Sequence, residues 1–106
     1  MILVREVFQA KYGQGDSMVA LFKEAQGKWL SGMPNRLLVD LSGRFFTVVV
    51  EIEVDSLAEW EAWMAKLFAT PETAEWFARM TNFIESGHRE FYTIAASSAG
   101  VLEPHH

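Results

Sequence analysis

The feature that most constrains this chain is the alternation of apolar and polar side chains along residues 2–12, 36–41, 44–54 and 88–95. This period of two, combined with many β-branched and aromatic residues, predicts four strands. Successive strand side chains point to opposite faces of a sheet, so residue parity sorts them into two sets. In one set thirteen of sixteen residues are apolar, which predicts the face that the helices cover.

Three helices are predicted between these strands, ending near residues 29, 68 and 87. Ser56 and Glu59 have the spacing of a capping box at the start of the second helix. Thr70 and Pro71 are predicted to cap and begin the third. The order β-α-β-β-α-α-β predicts an α+β fold, a ferredoxin-like sandwich with helices on one face of a four-stranded antiparallel sheet.

The chain of 106 residues has room for one domain, which we predict to cover residues 1–96. Residues 97–106 lose the alternation and are predicted to form a flexible tail. Its last two residues, both His, resemble the start of an expression tag and are left out of the site.

The second face of the predicted sheet has a mixed character, with seven apolar residues among sixteen. A solvated face would rarely expose so many large apolar side chains, and a closed core would rarely hold so many charges. We therefore expect a second copy of the chain to cover this face, giving a homodimer at micromolar concentration.

Two expectations about strand pairing follow from the same sorting. A two-residue turn at Ser42-Gly43 would pair position 39 with 46 and position 37 with 48. Antiparallel first and last strands would place Glu6 opposite Arg89 on one face, so that two misfit charges pair. The same register places Arg5 opposite Glu90 on the second face.

Acid-base candidates also lie on the second face. His88 is the one histidine outside the tail, and Glu90 is close to it on the same strand. A His beside a carboxylate can act as a general base near neutral pH. It can equally be a solvated side chain at the rim of the sheet.

The remaining catalytic candidates are Glu51, Tyr92 and Arg5. Glu51 lies in the middle of a strand and needs a cation as partner, for which Arg5 or Arg36 is predicted. Without a partner its pKa would rise and it would become an acid-base group. Tyr92 and Arg5 could stabilise an anionic group or could belong to a satisfied interface network.

The predicted pocket on this face has seven further lining residues. They are Gln9, Leu38, Asp40, Phe45, Thr47, Val49 and Glu90. A nitrogen-and-oxygen metal site could be assembled from His88 and nearby carboxylates, but no spacing specifies it, so no metal is expected. Gly13-Gln14-Gly15 lacks the signals of a phosphate-binding loop and is interpreted as a turn.

All four tryptophans lie in predicted helices, at positions 29, 60, 63 and 76. We interpret them as packing residues rather than a cofactor site. Of Trp60 and Trp63, one is expected to pack on the sheet and the other to cover a pocket entrance or the neighbouring helix.

Charge and composition exclude several classes of partner. The net charge is −5, and residues 51–75 hold seven carboxylates against one lysine, so no basic stripe offers a nucleic-acid surface. No apolar run approaches the ~20 residues of a membrane helix. The absence of cysteine and of a signal-peptide layout predicts a cytoplasmic protein without disulfides or thiolate metal sites.

The segments Leu41–Glu51 and Asp55–Glu61, with the predicted third helix, resemble the dimeric α+β barrel superfamily, and NIPSNAP-like small bacterial proteins in particular. The resemblance covers about residues 1–95. It implies that two four-stranded sheets face each other across a homodimer and close a barrel.

The resemblance also implies a range of functions, because the superfamily includes cofactor-free monooxygenases, isomerases, polyketide cyclases and haem-degrading enzymes. Haem-degrading members of the superfamily bind the haem iron through a His in this helical region, but segment 73–80 holds no His. The cofactor-free monooxygenases use a set of Asn, Trp and Arg residues, but neither Asn35 nor Asn82 lies on a predicted strand face. The expected function is binding of a small apolar or aromatic molecule, with cofactor-free catalysis as an extension. The alternative is a non-catalytic dimerisation module.

Overall fold

A computed structural model describes residues 1–97 and shows four strands and three helices in that part of the chain. They are β1 (Ile2–Ala10), α1 (Gly15–Lys28), β2 (Asn35–Val39), β3 (Thr47–Val54), α2 (Leu57–Phe68), α3 (Pro71–Met80) and β4 (Ile84–Thr93). The sheet is antiparallel, with strand order β2-β3-β1-β4. The predicted α+β order is confirmed. The predicted tail lies outside the described residues apart from position 97.

The core forms where parity predicted it, between one face of the sheet and the helices. Its sheet layer consists of alternate residues of β1 and β3, with Val4, Val48 and Ile52 almost completely buried. The buried stripe of α1 covers them with Met18, Leu21, Phe22 and Ala25. The opposite face of the sheet has no covering layer within the described chain, and we call it the open face.

The predicted register of β1 and β4 is confirmed. Glu6 lies opposite Arg89 and Arg5 lies opposite Glu90. Arg89 Nε donates to Glu6 Oε1 at 2.8 Å on the helix-covered face, and Arg5 Nη1 donates to Glu90 Oε1 at 3.0 Å on the open face. The opposite charges of each pair therefore predicted the cross-strand partners correctly.

The predicted two-residue turn between β2 and β3 is wrong. β2 ends at Val39 and β3 begins at Thr47, and Val39 pairs with Val48 rather than with Phe46. The register moves by two residues, so the faces are unchanged. A longer loop is stable because Asp40 closes it, with its Oδ1 accepting from the Thr47 amide at 3.0 Å. Phe46 leaves the strand with a φ of 60° and packs against the core.

The predicted end of the third helix is also wrong, since α3 ends at Met80 and β4 already begins at Ile84. A bulge at Gln9/Ala10 lets β1 pair with this earlier segment. Gly87, expected to end the helix, instead lies opposite Phe8 in the sheet. A Cβ at that glycine would lie 2.8 Å from Phe8 Cδ1, so its absence makes room for the ring.

The caps of α2 and α3 differ. Ser56 caps α2 as predicted, with its Oγ accepting from the Glu59 amide at 3.1 Å. Thr70 occupies the cap position of α3, but its side chain makes no cap bond. Its hydroxyl donates instead to the Lys66 carbonyl at 3.1 Å, at the end of α2. The capping prediction for Thr70 is therefore wrong, because the preceding helix offers a free carbonyl nearby.

Candidate functional site

The open face carries a row of alternating charges across all four strands. Strand order and register place Arg36, Glu51, Arg5 and Glu90 side by side, on β2, β3, β1 and β4 respectively. Each neighbouring pair is in contact, so the row is a continuous network of ion pairs. The sequence correctly placed all four residues on one face.

Glu51 is the most buried member of the row, with 8% of its surface exposed. Arg36 Nε donates to its Oε1 at 3.0 Å, Arg36 Nη2 also contacts that oxygen, and Arg5 Nε lies 3.4 Å from Oε2. Both predicted partners are therefore present. Charge-assisted hydrogen bonds are the stronger ones, so the two arginines hold the Glu51 carboxylate firmly in place.

Glu90 collects three hydrogen bonds at the β4 end of the row. The Tyr92 hydroxyl donates to Oε1 at 2.9 Å, Arg5 donates to the same oxygen, and His88 Nε2 lies 3.0 Å from Oε2. These bonds, with that of Tyr92 the largest contribution, lower the pKa of Glu90. The hydrogen bond to Glu90, followed by the Glu90 charge, raises the pKa of Tyr92, which keeps the phenol protonated. The structure thus brings Arg5, Glu51, His88 and Tyr92 into one network.

The polar pocket residues nearby are also satisfied within the chain. Gln9 Nε2 donates to the Phe45 carbonyl, and its Oε1 accepts from the Thr47 hydroxyl at 3.1 Å. Asp40 closes the β2–β3 loop. These bonds position the side chains but leave them few free groups for a ligand.

Two shallow depressions cross the open face. One, of about 370 Å³, is lined in part by Arg5, Leu38, Asp40, Thr47 and Val49. The other, of about 270 Å³, is lined in part by Gln9, Thr47 and His88. Phe45, predicted to project from a strand into the pocket, lies instead in the loop before β3, lines neither depression and has 68% of its surface exposed. Most predicted pocket residues therefore line real depressions, but these are open to solvent in the single chain.

A deeper, partly open cavity lies on the opposite side of the sheet, beneath α2. Its volume is about 130 Å³, and its walls are mostly apolar. α2 contributes Trp63, Met64 and Leu67, and the floor is formed by β1 and β3. The other lining residues are Glu6, Phe8, Phe22, Ala25, Trp29, Leu30, Val50, Ile52, Thr73, Trp76, Phe77 and Arg89.

Two polar features lie at this cavity. Thr73 is 1% exposed, and its hydroxyl has no hydrogen-bond partner within the described part of the chain. Arg89 and Glu6 form an ion pair at the wall, and the Arg89 guanidinium also lies 4.8 Å from the centre of the Trp60 ring. The cavity is therefore lined mostly by apolar side chains, with one ion pair at its wall.

This cavity could not be predicted from the sequence, because its lining residues have the apolar pattern of side chains packed in a hydrophobic core. A partial signal was available in Glu6 and Arg89, the two charges on the apolar face. The two helix tryptophans divide as expected, since Trp60 packs edge-on against Phe91 of the sheet and Trp63 lines the cavity. Parity gives no information about how far a helix stands from a sheet.

Among residues 1–97, no group of three or more His, Cys, Asp or Glu side chains is arranged to hold a metal ion. None of the helices in that range is long and apolar enough to span a membrane.

Comparison with known proteins supports the fold. No family model and no curated protein matches the chain. Among solved structures, a NIPSNAP domain protein from Burkholderia xenovorans is 18% identical, with a TM-score of 0.82 over 91% of this chain and 96% of that one. A NIPSNAP family protein from Agrobacterium tumefaciens is 18% identical, with a TM-score of 0.76 over 87% and 90%.

A candidate antibiotic biosynthesis monooxygenase from Nitrosomonas europaea is 10% identical, with a TM-score of 0.71 over 91% of this chain and 100% of that one. At these identities the similarity concerns the fold alone. The resemblance predicted from the sequence is confirmed at that level: the chain has the fold of NIPSNAP domain proteins.

Proposed function

We propose that this chain, with its NIPSNAP-type fold, is a homodimeric protein that binds a small, mostly apolar or aromatic molecule in the cavity beneath α2. The observation that carries the proposal is the mostly apolar pocket of about 130 Å³ between α2 and the sheet. Concave sites with mostly apolar walls and a few polar groups are typical of small-molecule binding. An engineered apolar cavity of roughly 150 Å³ binds benzene, so a volume of this order can hold a single ring.

The packing of α2 supports a role as a cover. None of its residues is buried, and Leu57 and Phe68 at its ends are exposed. Trp60, Trp63, Met64 and Leu67 are half-buried, so the helix rests on the core without being embedded in it. Elements with few buried contacts open locally at low free-energy cost, which would admit a ligand.

Homodimerisation is the second part of the proposal, and the open face supports it. Leu38 and Tyr92 expose apolar surface there. The alternating charge row is complementary to itself: a two-fold axis parallel to the strands would place each Arg of one copy over a Glu of the other. A second copy would also enclose the two depressions.

Cofactor-free catalysis stays a prediction, and the ion-pair row gives it limited support. Glu51 and Glu90 are both engaged by arginine partners, and Tyr92 is kept protonated by its hydrogen bond to Glu90, so we assign proton transfer to His88. The same row favours the alternative, a purely associative role for the open face. Binding beneath α2 is compatible with both.

Filling the cavity tests the binding proposal. Ala25 lines the cavity on α1, and Ala25→Leu would occupy part of its volume. Benzene, added during amide and indole NMR, is expected to shift the Trp63 signal in the wild type but not in this variant. Ala20→Leu, at an exposed position of the same helix, is the matched control and should keep the response.

The result that would contradict the proposal is an absent response in the wild type, or an equal response in Ala25→Leu. Thermal unfolding followed by circular dichroism establishes that each variant is folded. Val50→Phe fills the cavity from the sheet side if Ala25→Leu does not fold.

A further inference from the structure

Resting on the proposed function, we propose that the ligand is an amphipathic monoanion, with an apolar body beneath α2 and a carboxylate held by Lys66 and Lys28. The observation behind it is a second depression, of about 240 Å³, which adjoins the cavity beneath α2. We call it the lysine rim, and it is lined by Lys28, Trp29, Trp63, Lys66, Leu67 and Thr70. Its two tryptophans and its leucine also line the cavity, so the same side chains form walls of both spaces.

The fold brings the two lysines to this rim from separate helices. Lys28 lies in the last turn of α1, and Lys66 lies in the last turn of α2. The Thr70 hydroxyl donates to the Lys66 carbonyl at 3.1 Å, immediately before α3. Lys28 Nζ lies 3.6 Å from Glu72 Oε2, in the first turn of α3. The ends of α1 and α2 therefore meet the start of α3 at the lysine rim.

Lys66 is available to an anionic group. It is the one basic residue in the acidic segment 51–75, and it is exposed. It forms no ion pair with any residue that the structure describes. Lys28 Nζ lies 3.5 Å from Glu24 and 3.6 Å from Glu72. Solvent-accessible ion pairs of this kind contribute little free energy, so a ligand carboxylate can compete with them.

The two adjoining spaces differ in chemistry, and together they define the ligand class. The walls of the cavity beneath α2 are mostly apolar, so burial of an apolar body there is favourable. A carboxylate in that interior would lose its hydration, whereas at the lysine rim it stays in contact with water and gains charge-assisted hydrogen bonds. A ligand ammonium group would be repelled by both lysines.

The other cation at the cavity is Arg89, and it is already engaged. Its Nη2 lies 2.7 Å from Glu6 Oε1, and its guanidinium lies 4.8 Å from the centre of the Trp60 ring. A ligand carboxylate at Arg89 would have to compete with Glu6 for the same group. The lysine rim, where Lys66 has no acidic partner, is therefore the preferred position of the carboxylate.

The test compares phenylbutyrate with phenylbutanol, a neutral probe of similar length, by NMR titration. Both should shift the Trp63 indole signal, and we expect phenylbutyrate to bind about fivefold more tightly. Amide shifts over residues 66–70 should be larger with phenylbutyrate. The preference should shrink as salt is raised from about 20 mM to about 500 mM, because salt screens exposed charges.

Variants at the lysine rim assign the preference to its charges. Lys66→Gln should reduce the preference to about twofold, and addition of Lys28→Gln should abolish it. Lys66→Arg keeps the charge and should keep the preference, which separates charge from packing. Lys23→Gln, at an exposed position of α1 that lines neither space, is the matched control and should behave as the wild type.

The outcomes separate this proposal from the proposed function. If phenylbutanol binds but phenylbutyrate gains nothing, the anionic class is wrong and the proposed function stands. An advantage of phenylbutyrate that persists in the double lysine variant, or that Lys23→Gln removes equally, would overturn the lysine rim as the carboxylate site. If neither these probes nor benzene shifts the Trp63 signal, the proposed function fails as well.

Discussion

Arg5 links the two carboxylates of the open face, since it contacts Glu51 on one side and Glu90 on the other. Its role could be predicted from the sequence because strand parity and charge pairing both constrain it. Thr73 could not be predicted in this way, because it lies on a helix, where the spacing of neighbouring elements decides whether a hydroxyl finds a partner. The predictable residues are therefore those of the sheet.

At this scale the pKa of Glu90 gives a first prediction. Because its pKa is lowered from about 4.5, Glu90 stabilises the fold above that pH, and the contribution is lost as the pH falls through the lowered value. Tyr92→Phe removes the hydrogen bond that contributes most. We expect the Glu90 pKa to rise towards 4.5 and acid unfolding to begin at higher pH.

Side-chain carboxyl NMR over a pH titration measures this change. Tyr12→Phe is the control, because Tyr12 is 83% exposed and lies away from the row. An unchanged Glu90 pKa in Tyr92→Phe would show that the hydrogen bond in the structure contributes nothing to the titration.

At the scale of elements, α2 differs from α1 in having no buried residue. Its existence and cap could be predicted, because a capping box and an apolar stripe are local features. Its loose contact with the sheet could not, and neither could the loop at positions 40–46, where a continued alternation imitates a strand. Local patterns determine which elements form more reliably than how closely they pack.

The stability of α2 should depend strongly on its cap. Ser56→Ala removes the bond to the Glu59 amide and should cost about 1 kcal/mol. With α2 opening on its own, as proposed, amide hydrogen exchange in Leu57–Phe68 should accelerate about fivefold, while exchange in α1 stays constant. Ser42→Ala, in an exposed loop, is the control. Equal acceleration in both helices would mean that α2 does not open on its own.

For the whole molecule, the proposed homodimer forms through the open face. Leu38→Asp places a charge on this face at a position already 36% exposed, so the helix-covered core is unaffected. We expect the wild type to have twice the chain mass of 12.0 kDa in light scattering at micromolar concentration, and Leu38→Asp to be monomeric.

Leu57→Asp is the matched control for this change, since Leu57 is 49% exposed at the start of α2, on the opposite layer. An Asp is tolerated in the first turn of a helix, so this variant should remain dimeric. A monomeric wild type, or a dimeric Leu38→Asp, would remove the open face as the interface.

Hydrogen exchange measured with and without saturating phenol decides whether a ligand binds beneath α2. A bound ligand stabilises the closed state, so we expect slower exchange in α2 and α3, with little change in β2 and β4. Protection confined to β2 and β4 would place the ligand on the open face and rule out binding beneath α2. Unchanged exchange throughout the protein would rule it out equally.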